Sequence, residues 1–117
     1  MAVKKFKWFR IAKDISELNF AENHIAVTDC GSKTVCVGKF DQKIFAFAYK
    51  CPHASGILAN GFIDALGNVV CPLHRYRYSI LNGRNTSGEG YYLKTYPVEI
   101  RDDGIYAGIE ESSFSLW

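Results

Sequence analysis

The sequence has no apolar run approaching the roughly 20 residues needed to cross a bilayer. Its longest tidy stretch is Ile44-Phe-Ala-Phe-Ala-Tyr49, so no membrane partner is expected. It also lacks a strong basic excess: 14 Lys and Arg stand against 12 Asp and Glu, a formal net charge of +2. Gripping a phosphate backbone takes more than that, so nucleic acid is not an expected partner either. The N-terminus has early lysines but no apolar h-region and no small-residue cleavage site. An unexported, cytoplasmic chain is therefore expected. There is no internal repeat, no low-complexity segment and no long linker, and 117 residues suit one domain spanning 1–117. No C-x-x-C pair occurs, and Gly88-Glu89-Gly90 lacks the spacing of a dinucleotide-binding loop. In a reducing compartment the four cysteines, Cys30, Cys36, Cys51 and Cys71, read as thiols or metal ligands rather than as two disulfides.

What is present points to strands. Hydrophobic content is 48% and aromatic content 15%, enough for one packed core. Residues 5–9 alternate Lys and aromatics, and 24–28, 34–39 and 43–49 are rich in β-branched or aromatic residues. Phe40-Asp41-Gln42 is short enough for a hairpin, and Asp102-Asp103-Gly104 is a hairpin turn between strands at 96–101 and 105–109. One short helix is expected over Ile11–Phe20. Many short strands spaced by turns predict an all-β antiparallel sandwich or small barrel. Residues 50–84 break the pattern with Cys, Pro, His, Gly and Asn. They read as a loop-built insert in a framework of residues 1–49 and 85–117, and function is expected there.

The insert holds Cys51-Pro52-His53 and Cys71-Pro72-Leu73-His74, with 17 residues between them. Each loop brings one thiolate and one imidazole, so a metal site is the natural reading. A structural zinc site usually pairs like with like, Cys with Cys and then His with His. Mixed loops suit a dinuclear centre in which one iron takes both cysteines and the other both histidines, the ligation of a Rieske [2Fe–2S] centre.

At these residues the sequence resembles the Rieske family. Cys51-Pro-His-Ala-Ser-Gly-Ile-Leu58 and Val69-Val-Cys-Pro-Leu-His74 look like its two cluster loops, and Asn82-Gly83 resembles the turn that closes the cluster subdomain. Two positions depart from the family pattern: Arg75 stands where Gly usually follows the second histidine, and Ser55 where Gly is common in the first loop. The resemblance implies one [2Fe–2S] cluster per chain, held by Cys51, His53, Cys71 and His74. Respiratory-chain members resemble this chain less, since they carry an extra cysteine in each loop and a membrane anchor. Ring-hydroxylating oxygenases continue into a domain with a mononuclear iron, and here His24 is the one spare histidine. The small soluble ferredoxins remain. They imply an electron-transfer protein rather than an enzyme, carrying single electrons from a reductase to an oxygenase or similar acceptor. The alternative is a non-redox β domain, zinc-stabilised or clusterless, acting as a small binding or regulatory subunit like that of some nitrite reductases.

Around the ligands, Tyr78 matches a position that is tyrosine in high-potential members of the family, where its O–H can donate to a ligand sulfur. Tyr76 stands at the neighbouring position that is serine in those members. Arg75, Tyr76 and Tyr78 are thus the expected second shell, and the expected potential is low, nudged upward by Tyr78. Pro52, Ile57, Leu58 and Leu73 are expected to form an apolar collar that excludes water and docks partners. Cys30 and Cys36 read as ordinary strand cysteines, and His24 as a surface or packing residue.

Overall fold

The computed structural model describes residues 5–52, 56–87 and 90–111. In chain order the strands are β1 (Phe6–Ala12), β2 (Ile25–Cys30), β3 (Lys33–Phe40), β4 (Lys43–Ala48), β5 (Phe62–Ile63), β6 (Asn68–Val70), β7 (Arg77–Ser79), β8 (Thr95–Tyr96), β9 (Val98–Arg101) and β10 (Gly104–Glu110). They form three antiparallel sheets, ordered β1-β10-β9, β2-β3-β4-β8 and β5-β6-β7. The all-β expectation holds. Among the described residues no helix is long and apolar enough to cross a membrane.

Turn chemistry sets the hairpins. Asp41 and Gln42 both take positive φ, 52° and 61°, the backbone of a tight turn whose twist matches the strands it joins. Arg101 pairs with Gly104 across Asp102-Asp103, as the sequence signals. Pro97 follows β8, where its missing N–H suits the end of a two-residue strand.

The middle sheet is buried on both faces. Its residues Ala26, Cys30, Val35, Val37, Ala46 and Tyr96 pack against Ile11, Ala12, Ile105 and Ala107 of the first sheet. Ile25, Cys36 and Phe47 face the other way, toward Leu58, Val69, Tyr78, Ile80 and Leu93 of the insert. Successive side chains point to opposite faces of a strand, so one run such as Val35-Cys36-Val37 feeds both cores. Gly38 makes room for the insert: a Cβ there would lie 2.7 Å from Ile63 Cδ1 and 3.1 Å from Ile80 Cδ1.

The helix expected over Ile11–Phe20 does not form. Ile11 and Ala12 continue β1 into the first core, with Ala12 paired to Ile105. Only one 3-10 turn follows, Ile15–Glu17, capped by the Asp14 side chain accepting from Ser16 N–H at 2.9 Å. A short segment gains little from helix nucleation, whereas the strand pairing buries its apolar residues. The chain also rejoins the framework later than residue 85. Asn85 bridges to Tyr78, Tyr92 bridges to Arg84 and Leu93 lies in the insert's core, so the return falls at β8.

Candidate metal centre

Both cysteine loops close in the same way. Cys51 N–H donates to the Gly56 carbonyl and Cys71 N–H to the Tyr76 carbonyl, each at 2.8 Å. In the second loop the cysteine sits buried at the base, with His74 exposed beyond it. The bases are firmly set: Lys50 bridges to Ile57, Leu58 N–H donates to Tyr49 O at 2.9 Å, and Cys71 directly follows β6. A framework strut adds to this. Asn23 Nδ2 donates to the carbonyls of Ala59 and Gly61, both at 2.8 Å. Nothing in the local sequence marks Asn23, because its partners lie 36 and 38 residues away.

The loops meet at their cysteines. Cys51 is 5% exposed and Cys71 fully buried, and the two thiols are close enough to interact. Burial first, and the interaction with Cys51 next, pushes the Cys71 thiol up to about 11. Two adjacent buried thiols are costly as free thiolates, and a bound cationic metal removes that cost. Gly56 lies against the second loop, where a Cβ would be 3.1 Å from both Cys71 Sγ and Leu73 Cγ. Tyr78 rises from β7 beneath the pair, fully buried, with its hydroxyl 3.3 Å from Cys51 Sγ. Burial and that hydrogen bond raise the Tyr78 phenol above its ordinary range, so it is present as O–H.

Polarity changes outward. Pro52, Pro72, Leu73, His74 and Arg75 are exposed, and Tyr76 is half-buried with its ring 6.3 Å from that of His74. His74 and Arg75 take φ of 60° and 55°. The loop therefore keeps a left-handed backbone at the position where the family usually has glycine. His53 and Ser55 lie outside the described residues. Among the described residues no three His, Cys, Asp or Glu side chains group around a single ion. Two buried thiols with an imidazole on the exposed rim match one half of a dinuclear ligand set and part of the other.

One expected docking residue is misplaced. Leu58 is fully buried in the insert's core, because the 3-10 turn Leu58–Asn60 presses it inward beneath the first loop. Pro52, half-buried Ile57 and Leu73 stay on the surface. Cys30 and Cys36 are free, buried thiols on opposite faces of the middle sheet. Cys30 S–H points to Ala107 O at 3.7 Å, and burial pushes Cys36 up to about 12. Both are packing residues. His24 is exposed.

A Rieske [2Fe-2S] domain model matches residues 7–97. The chain belongs to that family, whose cofactor is a [2Fe–2S] cluster. It is 30% identical over 73 residues to the 3-phenylpropionate/cinnamic acid dioxygenase ferredoxin subunit of Photorhabdus laumondii subsp. laumondii, covering 62% of this chain and 70% of that one. The ferredoxin of carbazole 1,9a-dioxygenase from Nocardioides aromaticivorans shares the fold, with a TM-score of 0.72 at 22% identity over 86% of this chain and 96% of that one. A nitrite reductase small subunit described for Mycobacterium tuberculosis shares it as well, with a TM-score of 0.71 at 13% identity over 95% and 100% of the two chains. Within the family this chain is an electron carrier of the ferredoxin type, not an enzyme.

Proposed function

We propose that the chain passes single electrons from a reductase to an oxygenase, with Cys51 and Cys71 as the ligands of one iron of the cluster and His53 and His74 as those of the other. The carrying observation is the gradient across the site, from buried thiols resting on Tyr78 to an exposed loop at Pro72–Arg75. When bound, the cluster supplies a one-electron couple. The residues do the rest. Buried Cys51 and Cys71 keep water from the sulfurs, the Tyr78 O–H lends positive charge to Cys51, and the exposed His74 edge shortens the path to a partner. Pro52, Ile57 and Leu73 give that rim an apolar surface for brief docking. Free thiols at Cys30 and Cys36 fit a cytoplasmic setting.

The clusterless reading leaves two closed Cys-His loops without a purpose. Purified protein is expected to be red-brown, with two irons and two acid-labile sulfides per chain. On one-electron reduction it should give the rhombic EPR signal of mixed Cys/His ligation and then be reoxidised by an oxygenase component. Colourless protein holding one zinc per chain overturns the proposal.

A further inference from the structure

Asn68 is a buried polar side chain of the insert, 7% exposed and three residues before Cys71. Its Nδ2 donates to Asp64 Oδ2 at 3.1 Å, and its Oδ1 is the nearer acceptor of the Thr86 hydroxyl, at 3.2 Å against 3.4 Å for the Arg77 carbonyl. A carboxylate only accepts, so Asp64 fixes which way the amide points and leaves the oxygen for Thr86. Asp64 Oδ1 also accepts from Asn68 N–H at 2.9 Å, which ties the amide's own backbone to the same carboxylate. Thr86 N–H in turn donates to the Arg77 carbonyl at 2.8 Å.

Between Asn68 and Thr86 runs β7, the strand that carries Tyr78. Val69 pairs with Tyr78 on one side and Asn85 bridges to it on the other. The Asn68–Thr86 bond therefore straps across β7 and joins the segments on its two flanks. A β7 of only three residues has few ladder bonds of its own to hold it. The Tyr78 hydroxyl must nevertheless stay at 3.3 Å from Cys51 Sγ, and hydrogen bonds weaken steeply as their geometry degrades.

We propose that Asn68 and Thr86 are positioning residues for Tyr78, holding its hydroxyl on the Cys51 sulfur and so tuning the potential of the cluster. This rests on Cys51 being an iron ligand, as proposed above. Thr86→Val removes the donor at nearly constant shape, and Thr86→Ser keeps it. Protein-film voltammetry on holoprotein, with iron and sulfide content as the loading control, reads the outcome. Thr86→Val should lower the potential by about half the drop produced by Tyr78→Phe, while Thr86→Ser matches the wild type. In a Tyr78→Phe background Thr86→Val should have no further effect, since coupled residues are non-additive. Asn68→Ala should repeat the Thr86→Val pattern, and Thr86→Val decides the matter if Asn68→Ala loses its cluster. A lower melting temperature with an unmoved potential overturns the proposal, because the strap would then be structural only. An equal drop in both backgrounds also overturns it. An unchanged potential in Tyr78→Phe itself overturns the Tyr78–Cys51 contact first and this inference with it, whereas colourless wild-type protein defeats the functional reading instead.

Discussion

Leu58 and Leu73 both belong to the cysteine loops or their flanks, yet they should fail in opposite ways. Leu58 is 0% exposed in the insert's core and Leu73 is 44% exposed on the second loop. Leu58→Ala removes apolar volume where Ile25, Cys36 and Phe47 of the middle sheet meet the insert. Fully buried Leu→Ala changes cost about 3 to 5 kcal/mol, because the site collapses only in part. In a domain of this size each kcal/mol moves the melting temperature by roughly 4 °C, so a drop of about 10 to 20 °C is expected. Leu58 N–H also closes the base of the first loop through Tyr49 O. Loss of visible absorbance should accordingly precede loss of far-UV ellipticity. Leu73→Ala takes away an exposed side chain, which costs within about 0.5 kcal/mol, and its melt should shift by no more than about 2 °C. What it should lose is speed, with the second-order rate of electron exchange falling several-fold by stopped flow against reductase and oxygenase. The reasoning is refuted if Leu58→Ala melts with the wild type. It is refuted equally if Leu73→Ala destabilises as much as Leu58→Ala while exchanging electrons at the normal rate.

Three further outcomes are expected. Tyr78→Phe should lower the reduction potential by a few tens of millivolts with the cluster retained: a bond to a charged group is worth about 1.5 to 3 kcal/mol in total, only its difference between redox states counts, and about 59 mV is a tenfold change for one electron. Voltammetry checks it, and an identical potential contradicts the hydrogen bond. Gly83→Ala should unseat the insert by more than about 2 kcal/mol, since Gly83 has φ +78° and a Cβ there would stand 1.8 Å from the Leu93 carbonyl oxygen. Normal iron content and an unshifted urea midpoint would argue against it. Arg75→Gly should raise the urea midpoint, because a left-handed backbone costs a non-glycine residue roughly 1 to 2 kcal/mol and the greater freedom of an unfolded glycine returns only part of that. A lowered midpoint would mean that the Arg75 side chain makes contacts worth more than the strain.

The outer framework was legible because its information is local. The Asp41-Gln42 and Asp102-Asp103 turns sit between strands that pair directly across them, Phe40 with Lys43 and Arg101 with Gly104. Where structure depends on distant partners, local reading failed. Ile11 and Ala12 follow a strand rather than start a helix because β10, more than 90 residues on, supplies the pairing. The three strands of the insert are two or three residues long, too short to show any periodicity. The struts from Asn23 and Asn68 are invisible for the same reason, since an asparagine with loop-like neighbours looks like any turn residue until its partners are known. Leu58 was misread because an apolar residue in a loop carries no local sign of which way it faces; its burial comes from the insert docking on the middle sheet.

The ligand candidates were legible for a different reason. Each loop is a closed unit, with the cysteine N–H bonded to the carbonyl five residues on, so the cysteine and histidine that each loop offers are also close in sequence. In the second loop this closure fixes Cys71 at the base and leaves residues 72–75 exposed. That is why a family glycine can be replaced at Arg75 without losing the bend: His74 and Arg75 adopt left-handed φ inside a loop whose ends are already tied. The strain of two such residues is of the order of a few kcal/mol at most. It is set against two backbone hydrogen bonds, the packing of Gly56 on Cys71 and Leu73, and the Tyr78 contact below. A loop so constrained holds its imidazole outward before any partner arrives. An electron carrier needs that geometry in place beforehand, since docking that is brief leaves little time to build it.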